Sequence, residues 1–260
     1  MDLGISGKYA LVTGGSHGIG LATAIALASE GCHVAICARD KRRIDQTIEN
    51  ILSLGVKAIG IQADIFNPDA AENVVHEVIK EFGTVQILIN NVGGGGRWGG
   101  TNILDTEEMV WQEVFQKNAL AAIQFTREVL PFMVKQQWGR VVTVASIYGK
   151  EGGGKPWFNL AKSAEISLMK TLGMDADIVR KNITFNSVAP GAIMIPDTGW
   201  EKEKERNPEQ YEIFLNEHFP LGRMGTPDEV ANVIVFICSE SASLVNGACI
   251  AVDGGESKSF

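Results

Sequence analysis

Short apolar runs alternate along the chain with longer segments of mixed polarity. Tyr9 to Thr13 (YALVT) has β character, and the glycine-bearing GGSHGIG after it leads into LATAIALASEG, an Ala/Leu-rich helix ended by Gly31. HVAICA predicts a second strand, followed by a charged helix from about Lys41 to Leu54 that Gly55 ends. VKAIGIQA predicts a third strand with Asp64 just beyond its carboxyl end. Turn chemistry at Asn67-Pro68 opens the next helix, whose apolar spacing runs through AAENVVHEVIKEFG, and VQILIN gives a fourth strand. A long helical region from roughly Thr106 to Gln137 follows, and Pro131 is expected to bend or split it. RVVTVA predicts a strand ending at Ser146, and a helix starting at Lys155-Pro156 is expected to run to about Lys181. ITFNSVA is a strand closed by Pro190-Gly191, PDEVANVIVFICSE a helix with Pro227 at its start, and CIAVDGG the last strand.

Near-continuous apolar strands separated by helices are the pattern of a parallel sheet covered on both faces, and right-handed crossovers make such a sheet doubly wound. The expected class is therefore α/β, a Rossmann-like doubly wound parallel sheet with helices on both faces. Ligands of such sheets bind beyond the strand carboxyl ends, where the glycine loop, Asp64 and the NNVGGGG loop all fall. From Ala192 to Pro220 the pattern changes: EKEKERNPEQ is solvated, while Trp200, Tyr211, Phe214 and Phe219 give the segment something to pack. Residues 192–220 read as a mobile substrate lid with a short helix. No linker divides the chain, so residues 1–260 are expected to form a single domain.

Composition narrows the function classes. The 29 glycines among 260 residues fall in specific loops, which places backbone close to a ligand. A net charge of -8 excludes the basic footprint of a nucleic-acid or anionic-membrane binder, and the one local basic cluster is Arg39 to Arg43. Cysteines 32, 37, 238 and 249 have neither metal-ligand nor redox spacing and sit in apolar runs, which predicts buried thiols, no disulfide and no metal site. MDLGISGKYA lacks a basic region followed by a long apolar run, and no stretch approaches the roughly 18 apolar residues of a membrane span. A cytoplasmic protein is the expectation.

In TGGSHGIG, Gly14, Gly18 and Gly20 stand between a strand and a helix, where backbone must approach a pyrophosphate and the helix N-terminus favours negative charge. An ordinary glycine-rich turn is the alternative. At the end of the second strand an acidic residue would serve the ribose 2′-hydroxyl of NAD(H); here Ala38-Arg39-Asp40 stands there. Arg39, with His17 helping, suits a 2′-phosphate and favours NADP(H) over NAD(H), while Asp40 leaves the hydroxyl alternative open. Asp64 can accept from an adenine amino group or cap a turn. Asn90 and Asn91 can pin adjacent loops, and Gly93 to Gly96 can pass close to a ribose.

Asn118, Ser146, Phe158 and Lys162 converge on the same sheet edge. From about Gly7 to Gly255 the chain resembles the short-chain dehydrogenase/reductase family, in particular its ketoacyl-reductase-like and sugar-dehydrogenase-like members. The resemblance rests on Thr13, Gly14, Gly18 and Gly20, then Asp64, then NNVGG where the family has NNAG. It continues through Asn118, Ser146, the FNLAK segment from Phe158 to Lys162, Asn186, Pro190-Gly191 and the closing VDGG. It implies a nicotinamide cofactor held by Gly14, Ser16, His17, Gly18, Ile19, Gly20, Arg39, Asp64, Ile65, Asn91, Gly93, Lys162, Pro190, Gly191 and Ile193. It also implies that Ser146 holds the substrate oxygen, Lys162 binds the nicotinamide ribose and lowers a phenol's pKa, Asn118 holds a relay water, and the subunits form a homotetramer. The chemistry agrees: a tyrosine near pKa 10 is a poor base until a fixed ammonium favours the phenolate.

The departure is Phe158, which occupies the tyrosine position, four before Lys162 and twelve after Ser146. Phenyl fills nearly the volume of phenol but cannot move a proton, so ligands should bind while turnover is strongly reduced. Retention of Ser146, Lys162 and Asn118 favours an engineered Tyr-to-Phe replacement; a natural relative that has lost catalysis, serving as a dinucleotide-binding sensor or regulatory subunit, would carry the same residues. Trp98, Tyr148, Glu151, Lys155, Trp157, Met194 and Trp200 are expected to wall a pocket with Ser146, and that aromatic and polar mixture suits a small alcohol or ketone, sugar-like in character.

Overall fold

The computed structural model describes residues 2–196 and 199–259. Its centre is one seven-stranded, wholly parallel sheet in the order β3-β2-β1-β4-β5-β6-β7. The strands are β1 (Tyr9–Thr13), β2 (His33–Ala38), β3 (Ala58–Gln62), β4 (Ile87–Asn90), β5 (Gly139–Val144), β6 (Ile183–Pro190) and β7 (Cys249–Val252). Strand order reverses between β1 and β4, and a crevice opens there at the carboxyl edge.

Successive strand residues point to opposite faces, and each face has its own core. Ala10 and Val12 of β1 join Val34 and Ile36 of β2 on one face, while Leu11, Ala35 and Cys37 point to the other. The first face is covered by α1 (Gly18–Ser29), α2 (Lys41–Leu52) and α10 (Pro227–Ile237), through Leu27, Ile44 and Ile234 among others. The second is covered by α3 (Ala70–Phe82), α5 (Ala121–Gln136) and α6 (Pro156–Leu172), through Val78, Phe125 and Met169. Both faces being apolar is why the strands read as continuous hydrophobic runs.

Three helical expectations are corrected. The region from Thr106 to Gln137 is interrupted at Gln116–Leu120, a π-helical turn between α4 (Glu108–Phe115) and α5, and α5 continues through Pro131. The side chain of Asn118 donates to the Val114 carbonyl at 2.7 Å, occupying the acceptor that its own backbone N–H would use, and the ladder skips a register. The helix expected to reach Lys181 stops at Leu172, where Asn246 Nδ2 donates to the Gly173 carbonyl at 2.7 Å. A separate turn, α7 (Ala176–Val179), is capped by the Asp175 side chain. The segment 192–220, expected to hold one short helix, carries α8 (Gly199–Arg206) and α9 (Pro208–His218), and its positions 197 and 198 lie outside the described residues.

The four cysteines are free thiols; Cys32, Cys37 and Cys238 are buried as expected, whereas Cys249 on β7 is only partly so. Burial pushes the Cys32 and Cys37 thiols up to about 12, which leaves them inert. Among the described residues no helix is long and apolar enough to cross a membrane, and no group of His, Cys, Asp and Glu could hold a metal ion.

Candidate active site

The glycine loop leaves β1 through two left-handed residues, Gly14 with φ 65° and Gly18 with φ 55°, a conformation L side chains resist. His17 is the N-cap of α1 but makes no capping bond with its side chain; its Nε2 lies 3.2 Å from the Pro196 carbonyl. The first-turn amides of α1 therefore have no side-chain cap, and Ser16, Gly18 and Ile19 line a cavity of about 940 Å³ beside them. Asn91 fixes the loop from β4: its Nδ2 donates to the Thr13 carbonyl at 2.8 Å and the Gly14 carbonyl at 3.2 Å. Asn90 pins the strand below, donating to Thr126 Oγ1 at 3.0 Å and Thr143 Oγ1 at 3.3 Å. A side chain on Gly20 would collide with Asn91 and Gly14, so this glycine serves close packing and does not line the cavity.

At the far end the cavity is bounded by Arg39, Arg43, Asp64 and Ile65. The Asp40 carboxylate is engaged in capping α2, accepting from the Arg43 backbone at 3.1 Å. Asp64 accepts from the Phe66 backbone at 3.1 Å, closing the turn beyond β3.

The reacting end is built where β5 and α6 meet. Pro156 occupies the first turn of α6, and Ser146 sits beyond the end of β5 with its Oγ accepting from the Tyr148 amide at 3.2 Å. One turn into α6, Phe158 and Lys162 both face the cavity, with Lys162 Nζ 5.7 Å from the centroid of the phenyl ring. Lys162 is buried; its Nζ donates to the Val144 carbonyl at 2.9 Å and to Glu165 Oε2 at 2.9 Å. Burial pushes the Glu165 carboxyl up to about 7 against the pull of Lys162. Asn118 does not line the cavity. Its Oδ1 accepts from the Gly94 amide at 3.0 Å and its Nδ2 donates to the Gly94 carbonyl at 2.8 Å, so it clamps the loop carrying Gly93, where a Cβ would stand 2.6 Å from Asn118 Oδ1.

Pro190 and Gly191 line the cavity just before segment 192–220, and Ile193, Trp200, Phe214 and Phe219 of that segment line it with Tyr148. Four expected pocket residues lie elsewhere. Trp157 is fully buried between α4 and α6 with Val114 and Ala161, edge-on to Trp111 at 5.4 Å, because it lies on the side of α6 turned to α4. Met194 packs on the cluster of Tyr211, Leu215 and Met224. Trp98 lies on the surface beneath Lys117 Nζ, 4.6 Å from its ring centroid, and Glu151 accepts from the Lys258 amide at 2.7 Å.

Other lining residues had weaker signals. Arg43 belongs to the basic cluster after β2, Lys117 precedes Asn118, and Ile195 stands where relatives often carry a threonine, but Arg97 and Glu256 stand in no motif. Glu256 is brought in by the turn after β7, where its Oε2 accepts from the Ala192 amide at 2.6 Å. Arg97 reaches segment 192–220, its guanidinium 5.1 Å from the Trp200 ring centroid.

A family model described as enoyl-(acyl carrier protein) reductase matches residues 14–257. The chain is 34% identical over 259 residues to 3-oxoacyl-(acyl-carrier-protein) reductase FabG of Aquifex aeolicus, covering 98% of this chain and 99% of the relative. Its structure is similar to that of L-sorbose reductase from Gluconobacter frateurii complexed with NADPH and L-sorbose, with a TM-score of 0.91, 33% identity and full coverage of both chains. It is also similar to 7α-hydroxysteroid dehydrogenase complexed with NADH and 7-oxo glycochenodeoxycholic acid, with a TM-score of 0.88, 28% identity and coverage of 99% of this chain and 97% of the other.

Proposed function

The chain belongs to the short-chain dehydrogenase/reductase family of nicotinamide-dependent oxidoreductases, and from that premise we propose that its site interconverts a secondary alcohol and a ketone once a phenol stands at position 158. The observation that carries this reading is the convergence of the glycine loop, Ser146, Phe158 and Lys162 on one cavity. The cavity residues fit the cofactor: the uncapped start of α1 and the left-handed glycines form a cradle for a pyrophosphate, and Gly93 gives passage to a ribose. A bound nicotinamide supplies or accepts the hydride. Arg39 and Arg43 at the far end favour NADP(H) over NAD(H).

The chain's own residues do the remaining work. Ser146 Oγ holds the substrate oxygen, Lys162 orients the nicotinamide ribose, and the Asn118 clamp fixes the loop against which both ligands rest. Phe158 keeps the shape of the site and cannot exchange a proton, so the chain binds its ligands with turnover strongly reduced. Trp200, Tyr148 and Phe219 with Arg97 and Glu256 form a mouth of mixed aromatic and polar character, which supports a small sugar-like alcohol or ketone as substrate. Residues 1–260 act as one domain with 192–220 as its lid, in a cytoplasmic homotetramer.

A second reading, a dinucleotide-binding sensor without turnover, is favoured by the Lys162–Glu165 contact, which engages the amine that a phenol would need. Phe158→Tyr decides between them. Assayed with both cofactors on a panel of alcohols and ketones, it is expected to raise kcat by about 10² to 10⁴ over the parent chain. NADPH binding retained without turnover on any substrate would instead establish the sensor.

A further inference from the structure

Lys162 and Glu165 are the two charged side chains buried within α6, and they face each other there. An ammonium has three donors; the Val144 carbonyl and Glu165 Oε2 take two of those of Lys162, leaving one for the cavity. Behind the amine the loop is closed, since a Cβ on Gly93 would approach Nζ to 3.1 Å. On that side the amine is bounded by the loop that Asn118 clamps.

The electrostatic consequence concerns position 158. An isolated ammonium near a phenol favours the phenolate, but an ammonium in contact with an ionised carboxylate is a neutral pair whose field falls off faster with distance. We propose that Glu165 is a positioning residue that holds Lys162 against Val144 and sets how much positive charge the amine presents to position 158. It rests on the proposed reading of Lys162 as the residue that acts on a phenol there.

The surroundings allow such control. Lys162 is the charged group that acts on Glu165, whose carboxyl burial lifts to about 7, so the pair passes from a net positive charge to neutrality as pH rises through neutral. Lys117, on the π turn, acts on Lys162 across the cavity and is itself faced by Arg39 and Asp64. Tyr148, on the turn after β5, is subject to Glu256 and Glu151 at the other end. None of these replaces the carboxylate in contact with Nζ.

The test follows a phenol placed at position 158, not turnover. F158Y and F158Y/E165Q are prepared with isotope-labelled tyrosine, and the resonance absent from the parent chain is titrated by NMR. In F158Y/E165Q its midpoint is expected about half to one pH unit lower than in F158Y, because the amide leaves the Lys162 charge uncompensated. In F158Y the same resonance is expected to show a second, smaller inflection near pH 7, where Glu165 ionises, and the inflection disappears in the double variant. Equal midpoints in two folded proteins would overturn the proposal. Should F158Y/E165Q fail to fold, the inflection in F158Y decides alone: present it supports the assignment, absent it overturns it. Failure of F158Y to turn over any substrate, with the shift observed, removes the alcohol–ketone reading and leaves the Glu165 assignment standing.

Discussion

Arg39 is the residue on which the proposed preference for NADP(H) rests, and Asp40 stands beside it on the same cavity. Asp40 caps α2, its Oδ1 accepting from the Arg43 amide at 3.1 Å, and its Oδ2 lies 3.7 Å from Arg43 Nε. The guanidinium of Arg39 remains on the cavity edge. A charge-assisted bond to a 2′-phosphate contributes about 1.5–3 kcal/mol, so Arg39→Ala is expected to weaken NADPH relative to NADH by about 10- to 100-fold. Titration of nicotinamide fluorescence with both cofactors measures the ratio, and an unchanged ratio would reassign the site to NAD(H). Phe158 and Lys162 pose the complementary problem on one helical face. The phenyl at 158 is read directly from the sequence, whereas the contact that engages the lysine is not, since i,i+3 pairs of opposite charge are usually solvated.

At the scale of elements, the site depends on how helices begin. The start of α1 is left without a side-chain cap, while α10, packed on α1, has a complete one: Thr226 Oγ1 accepts from the Glu229 amide and Glu229 Oε2 accepts from the Thr226 amide at 2.9 Å. Thr226→Ala is expected to lower stability by about 1 kcal/mol in denaturant unfolding, without altering cofactor affinity. Arg223 and Thr226 hold the Glu229 carboxyl down to about 2, so its stabilising contribution is full above the ordinary carboxylate range and is lost as pH falls toward 2. E229Q and the parent should accordingly differ in thermal midpoint at neutral pH and converge near pH 2. Strand positions, the glycine turn before α1 and the start of α10 at Pro227 were legible in the sequence because each is written in consecutive residues. The π turn was not: it arises from a side chain competing with its own backbone for one carbonyl, and Pro131, the apparent breaker, sits where α5 tolerates it. Trp157 was misplaced for a related reason, since a ring at helical spacing does not declare which of two neighbours it faces.

For the whole molecule, charge and apolar surface are distributed unevenly. A chain of net charge -8 gathers six cations, Arg39, Arg43, Arg97, Lys117, Lys155 and Lys162, around one cavity against three carboxylates, Asp40, Asp64 and Glu256, a local excess that favours an anionic ligand in an otherwise acidic protein. Apolar surface collects on the opposite side of α6, where a groove is lined by Trp111, Phe115, Leu120 and Leu160. Leu160 is 54% exposed and Leu120 40%, and Met109 on α4 is 58% exposed, more apolar surface than an isolated subunit gains from. In the proposed homotetramer a second copy would cover this face of α4, the π turn and α6, and so brace from behind the helix that holds Phe158 and Lys162 toward the cavity. Leu160→Glu places a charge at the centre of that face, two residues from Phe158 in sequence but turned away from the cavity. Light scattering is expected to show a smaller assembly for L160E than for the parent, with weaker cofactor binding at subunit concentrations where the parent remains assembled. An unchanged mass would move the interface to another surface.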